Sequence, residues 1–260
     1  MKVAILVGGR GTRLTAGEDA PPKALFEIGG RPIVWHIMNL YAAAGLGEFV
    51  LLLGYKGQDI VDYFVRRLPF DGRDVRLRVG AVVTSEFLGS GPDAEWTVTF
   101  CHTGLTSEKG ERIRRARQYL EDEEDFMVTY GDGVSDVDLQ ALLRFHRSHG
   151  LLATVTAVRP PARFGGLVFD GELVAEFTEK PQIGEGWING GFLVFEPQIL
   201  DYLDGDRASL EGDLLEQLAA ERQLAAYRHE GFWQCMDTLR DKRLLESLWE
   251  SGKPLWKVWA

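Results

Sequence analysis

Several short segments of this chain carry residue types that suit phosphate chemistry. Gly8, Gly9, Arg10, Gly11, Thr12 and Arg13 follow at once on the apolar run Met1–Val7. Glycines leave backbone N–H groups open to a close anion, and the two arginines add fixed positive charge beside those donors. Together with Leu6 and Val7, the loop is a candidate anion cradle at a strand's carboxyl end. It matches neither of two familiar phosphate loops. A G-x-G-x-x-G pattern begun at Gly9 meets Leu14 in its last place, and no lysine completes a Walker loop. An ordinary glycine turn with solvated arginines is the alternative. Lys23, in Pro21-Pro22-Lys23, is near enough in sequence to fold back over the same phosphates.

Gly131-Asp132-Gly133 ends another apolar run, and Asp237 follows the aromatic segment Gly231-Phe-Trp-Gln-Cys-Met. Two carboxylates from distant segments suit one Mg²⁺, which takes hard oxygen ligands and shares them with substrate phosphate. A turn for Asp132 and a helix cap for Asp237 are the plainer readings. Glu179-Lys180-Pro181 offers a point charge for a second phosphate. Asn189-Gly190-Gly191 offers amide hydrogen bonds where backbone must approach closely. Those groups suit a sugar phosphate. The five histidines show no ligand spacing beyond His146 and His149, read here as a pair on an exposed helix, and all five are taken as structural. The acidic run Glu121–Asp125 reads as a solvated turn, and Cys101 and Cys235 as small buried hydrophobes.

The elements that must position these groups alternate between apolar runs and amphipathic stretches through the first 150 residues, which predicts an α/β layer arrangement. Strands are expected at Met1–Val7, Phe49–Leu53, Val75–Val83, Trp96–Cys101 and Asp125–Tyr130, with the last one central. Helices are expected from Pro32 to Tyr41, from Gln58 to Arg67 and over the basic stretch Glu111–Leu120. Beyond residue 150 strands dominate, at 152–158, 167–169, 173–177 and 187–195, and a terminal helix spans Leu239–Trp249. The expected architecture is a Rossmann-like mixed, mostly parallel sheet flanked by helices, with a β-rich sugar-binding portion. It forms a single domain over 1–260, with one half to about 150 and a β-rich substrate half from about 151. Open sheets of this kind place their ligands at the carboxyl ends of the strands, where both glycine segments fall. Trp256 and Trp259 read as packing or a subunit contact.

The 260 residues are 45% hydrophobic and 26% charged, an ordinary globular composition long enough for a large core. A formal net charge of −10 repels nucleic acid and anionic membranes, so neither is expected as a partner. The amino terminus enters a strand directly and no apolar stretch reaches membrane-spanning length, so a cytoplasmic location is expected.

With these residues in view, the chain resembles the sugar-1-phosphate nucleotidyltransferases, and within them the cytidylyl branch that uses glucose 1-phosphate. The marks run along essentially the whole chain: Gly-Gly-Arg-Gly-Thr-Arg-Leu (8–14), Glu-Ile-Gly-Gly-Arg-Pro-Ile-Val-Trp-His-Ile-Met (27–38), Gly-Tyr-Lys-Gly (54–57), Tyr-Gly-Asp-Gly-Val (130–134), Arg-Phe-Gly (163–165), Glu-Lys-Pro (179–181), Ile-Asn-Gly-Gly-Phe (188–192) and Gly-Phe-Trp-Gln-Cys-Met-Asp-Thr-Leu-Arg-Asp-Lys (231–242). The resemblance implies a Mg²⁺-dependent enzyme, a homo-oligomer, joining CTP to α-D-glucose 1-phosphate to give CDP-glucose and pyrophosphate. It implies a nucleotide-binding half to about 150 and a sugar-phosphate-binding half from about 151, that residues 6–13 with Gly131 hold the nucleotide, that Arg13, Lys23 and Asp132 are catalytic, and that Asp132 and Asp237 bind the metal. Ser107 and Arg112 fall where the family contacts nucleotide, and Glu179, Lys180, Asn189 and Gly190 where it holds the sugar phosphate. Another nucleoside triphosphate or sugar 1-phosphate with the same chemistry, or a non-catalytic nucleotide-sugar-binding protein, are the alternatives. The chain departs from the family pattern in three places, one of them the segment Thr84–Pro92. Pro21-Pro22-Lys23-Ala24 stands where the family shows Lys-Pro-Lys-Pro, and Lys109-Gly110-Glu111-Arg112 stands where it shows Thr-Gly-Gly-Arg.

Overall fold

The computed structural model describes residues 1–9, 21–67, 74–78, 84–88, 96–160, 166–170, 173–178, 186–203 and 208–259. Its centre is an eight-stranded mixed sheet. From one side the order is Ile188–Asn189, Ala153–Val158, Leu193–Phe195, Phe126–Tyr130, Lys2–Leu6, Glu48–Leu53 and Thr97–His102, and Leu224–His229 pairs with Ala153–Val158. Lys2–Leu6 lies parallel between Glu48–Leu53 and Phe126–Tyr130, with Leu6 opposite Leu52 on one flank and Tyr130 on the other. Leu193–Phe195 joins Phe126–Tyr130 antiparallel, and from there the sheet becomes mixed. Two glycine segments, after Leu6 and after Tyr130, thus leave neighbouring strands side by side. The expected central position of the 126–130 strand holds.

These strands read as continuous apolar runs because both of their faces are covered. Val3, Ile5, Phe49, Leu51 and Met127 point to one core, and Ala4, Val50, Leu52, Phe126 and Val128 to the other. This is the period-two alternation of a sheet packed between helix layers. Burying each Val, Ile, Leu or Phe this way contributes about 1.5–3 kcal/mol. The first core is closed by the helix Ile33–Ala43, which Pro32 starts, and by the terminal helix Leu239–Glu250. His36 is fully buried between them, its Nε2 2.9 Å from the Ile28 carbonyl oxygen. The indole Nε1–H of Trp256 donates to His36 Nδ1 at 3.3 Å. An indole nitrogen only donates, so Nδ1 is the acceptor and Nε2 carries the proton. Trp256 therefore packs within the subunit.

Several expectations change. The basic helix is two pieces, Lys109–Arg115 and Arg117–Leu120. The 187–195 run is broken into Ile188–Asn189 and Leu193–Phe195 by Gly191 and Phe192, both at positive φ (80° and 46°). His146 is not on an exposed face: it is 1% exposed and its Nδ1 lies 2.9 Å from Thr154 Oγ1. Nor is the acidic turn wholly solvated. Asp125 is buried against the Arg147 guanidinium at 2.7 Å, and Glu123 pairs with Lys2 and the amino terminus. Such pairs leave the carboxylates satisfied inside the fold. Residues 79–83 of the expected 75–83 strand lie outside the described residues; Asp74–Arg78 pairs with Thr84–Leu88 as a separate hairpin.

Candidate active site

Two adjoining cavities open at the carboxyl ends of the central strands. The first, about 430 Å³, is lined by Leu6, Val7, Gly8 and Gly9 from the first strand's exit, by Lys23, by Ser107, Lys109 and Arg112 from the 103–115 segment, by Tyr130, Gly131 and Asp132, and by Asp237. The second, about 490 Å³, shares Lys109, Tyr130, Asp132 and Asp237 with the first and adds Asn189, Gly190, Phe192, Glu211, Trp233 and Cys235. Nucleotide-side and sugar-side candidates from distant parts of the sequence thus line one continuous crevice.

The shared wall is built by a two-stranded ladder that sequence patterning did not reveal. Gly133–Ser135 pairs antiparallel with Trp233–Cys235, with Cys235 opposite Gly133, and Met236 N–H donates to the Asp132 carbonyl at 2.8 Å. This brings residues 132 and 237 together across more than a hundred positions. Asp237 is not the helix cap: Thr238 fills that role, with Asp241 returning the bond as a capping box. The Asp237 carboxylate lines the crevice.

Lys23 stands between the two carboxylates. Its ammonium donates to Asp132 Oδ2 at 2.6 Å and pairs also with Asp237 Oδ1. Burial works against the Lys23 charge, but the Asp132 and Asp237 carboxylates outweigh it, so its pKa is raised and it stays protonated. Two carboxylate oxygens held around one cation form the hard, anionic donor pair that a divalent ion takes. Among the described residues no group of three or more His, Cys, Asp or Glu side chains is arranged to hold a metal. A divalent ion here would complete its shell from substrate phosphate and water. Cys235 Sγ–H reaches Asp237 Oδ2 at 3.7 Å; burial and then the two neighbouring aspartates push its thiol up to about 12. It is half-buried in the second cavity, not a core hydrophobe, and it is inert as a nucleophile.

The floor of the first cavity rests on Arg112, 6% exposed. Its Nη1 donates to the Leu53 carbonyl (3.1 Å), Thr103 Oγ1 (2.7 Å) and the Gly104 carbonyl (2.8 Å). The guanidinium fills the space beneath Gly8 and Gly54, where a Cβ on either would come within 2.5 Å of it. Arg112 lines the cavity as expected, but as a prop under the glycine loop. Ser107 also lines it and donates to the Thr103 carbonyl.

In the second cavity, the Gly191 turn aims Asn189: its Oδ1 accepts from Gly191 N–H at 2.9 Å and its Nδ2 donates to the Tyr130 hydroxyl at 3.0 Å. A side chain on Gly190 would strike Val158 at 2.6 Å, which explains the glycine there. Trp233 Nε1–H donates to the Gly190 carbonyl at 2.8 Å. Burial, with the adjacent Glu211 carboxylate, raises the Tyr130 pKa, so the hydroxyl stays protonated and donates to Glu211 at 2.9 Å. Of the expected site residues, Leu6, Val7, Gly8, Gly9, Lys23, Ser107, Arg112, Gly131, Asp132, Asn189, Gly190 and Asp237 come together here. Arg10, Gly11, Thr12, Arg13, Glu179 and Lys180 lie outside the described residues. Sequence reasoning passed over Tyr130, Glu211 and Trp233 as site residues; the first and last lie inside quoted motifs, whereas Glu211 carries no local signal.

A model of the nucleotidyl transferase family matches residues 2–246. The chain is 43% identical over 265 residues to a glucose-1-phosphate cytidylyltransferase of Salmonella typhi, covering 100% of both chains. It is 40% identical over 260 residues to a probable glucose-1-phosphate cytidylyltransferase of Bacillus subtilis (strain 168), again with 100% of both covered. Among solved structures, HddC from Yersinia pseudotuberculosis superposes with a TM-score of 0.68 at 22% identity, over 95% of this chain and 99% of that one, and supports the fold. On a family match that spans nearly its whole length, the chain belongs to the nucleotidyl transferase family.

Proposed function

We propose that the chain joins CTP and α-D-glucose 1-phosphate, releasing pyrophosphate and giving CDP-glucose. The observation that carries this reading is the Asp132–Lys23–Asp237 cluster at the wall shared by two cavities, where a nucleotide and a sugar phosphate would meet. The choice of base and sugar rests on the full-length likeness to the cytidylyltransferases.

A phosphate oxygen of the sugar 1-phosphate attacks the α-phosphorus of the nucleotide. One P–O bond forms, the α–β anhydride breaks, and pyrophosphate leaves with the electron pair. The nucleophile is already anionic, so no general base is needed, and positioning and charge neutralisation carry the catalysis. Gly8 and Gly9 leave backbone donors open to the triphosphate, and Arg13 and Lys23 neutralise it. Asn189 and Gly190 orient the sugar phosphate, with Glu179 and Lys180 as its further partners. Nucleotidyl transferases generally act with a divalent metal; here we assign it as Mg²⁺ on Asp132 and Asp237, supplying charge neutralisation at the phosphates.

Pyrophosphate release with glucose 1-phosphate and Mg²⁺ is compared across CTP, UTP, dTTP, ATP and GTP, with products identified by mass. Turnover confined to CTP is expected. Turnover with another base keeps the mechanism and overturns the base, and silence with all five overturns the proposal.

A further inference from the structure

We propose that Lys109 is a substrate-positioning residue: its ammonium takes the phosphate of the sugar 1-phosphate at the seam of the two cavities, and Glu211 holds it ready while the site is empty. This inference rests on the sugar-phosphate reading above.

Lys109 opens the helix Lys109–Arg115 and lines both cavities. Its Nζ pairs with Glu211 and sits 5.1 Å from the centroid of the Tyr130 ring. Glu211 is fixed in turn by the Tyr130 hydroxyl, which also accepts from Asn189. The ammonium is therefore held beside the amide expected to orient the sugar phosphate. An ion pair whose partners are 45% and 40% exposed adds little to stability, so folding alone does not account for it.

The charges of the second cavity make the stronger case. Among the described residues lining it, three are carboxylates, Asp132, Glu211 and Asp237, and Lys109 is the one cation. A doubly charged phosphate entering that wall needs a positive partner of its own: Lys23 and the divalent ion assigned to Asp132 and Asp237 serve the triphosphate, which leaves Lys109 as the side-chain cation, among the described residues of this cavity, for the sugar phosphate. A half-buried lysine on a flexible stem can leave Glu211 for the phosphate, while Glu211 keeps its bond from Tyr130.

The test is calorimetric binding of inorganic phosphate and of glucose 1-phosphate to wild type, Lys109→Gln, Lys109→Arg and Glu211→Gln, with CTP binding and thermal melts alongside. Lys109→Gln is expected to weaken both phosphates about 10-fold, the scale of one charge-assisted contact, and to shift CTP less than about 3-fold. Lys109→Arg should restore most of that loss. Glu211→Gln frees the ammonium and should hold or tighten inorganic phosphate, a sign opposite to that of Lys109→Gln. Unchanged phosphate binding in Lys109→Gln, or equal weakening in Glu211→Gln, would overturn the assignment. Because phosphate is the probe, the outcome is independent of turnover. Lys109-dependent binding without CDP-glucose synthesis would sink the proposed function and leave this inference standing.

Discussion

Replacing Gly8 by alanine should cost about 1–3 kcal/mol of stability, while the same change one residue later, at Gly9, should cost less than about 0.5 kcal/mol. A Cβ on Gly8 would lie 2.5 Å from Arg112 Cζ, 2.7 Å from Nη1 and 2.9 Å from Nε, whereas nothing stands within 4 Å of one on Gly9. The end of a long side chain ordinarily swings aside. Arg112 cannot, because Nη1 is tied to three oxygens at 2.7–3.1 Å and Gly54 closes the opposite side. Relief of the clash sacrifices at least one hydrogen bond from a charged donor, about 1.5–3 kcal/mol, or keeps it at an overpacking cost of about 1–3 kcal/mol. For a chain of this size the midpoint of thermal unfolding should fall by roughly 2–12 °C. The assay is thermal unfolding of Gly8→Ala, Gly9→Ala, Arg112→Ala and the Gly8→Ala/Arg112→Ala pair. In the Arg112→Ala background the space is open, so the glycine change should cost almost nothing more. A Gly8→Ala melt within about 1 °C of wild type, or strictly additive losses in the pair, would refute the reasoning.

Asp132→Asn and Asp237→Asn should each lose at least ~100-fold in kcat, the scale of removing a central electrostatic stabiliser, and near-normal turnover in either contradicts its role. His36 and His146 are buried with their pKa values lowered to about 4, in each case chiefly by burial. Both rings are neutral in the fold and take protons on unfolding. Their contribution is complete above about pH 6.5 and is lost as pH falls toward 4, at about 1.4 kcal/mol per pH unit for each ring. Denaturant unfolding between pH 7 and 5 should show that fall, and His36→Gln should make it shallower; an unchanged slope rules out His36 as a contributor.

The parallel core was legible because both faces of strands such as Glu48–Leu53 are buried, which writes the element as an unbroken apolar run. The glycine segments after Leu6 and Tyr130 were legible because close backbone approach leaves a compositional trace. The ladder joining Gly133–Ser135 to Trp233–Cys235 was not, since three-residue strands carry no period and their partners lie about a hundred positions apart. His146 was misjudged because its burial comes from packing of the 139–149 helix against Ala153–Val158, a contact that local polarity does not reveal. Glu211 was invisible for a similar reason. A glutamate at the start of a π-helical turn looks solvated until Tyr130 and Lys109 are placed beside it.

The bond from Trp256 to His36 joins positions 220 residues apart. At about 5–20 residues per second, a ribosome needs roughly 11–44 s between making the histidine and making the tryptophan that seals it. Asp237, the second carboxylate of the crevice, arrives only shortly before Trp256. Until Asp237 and Trp256 are made, the nascent chain therefore carries an unsealed first helix and no assembled crevice. Binding competence should switch on almost at once, when the stretch from Asp237 to Trp256 has been made, instead of growing with length.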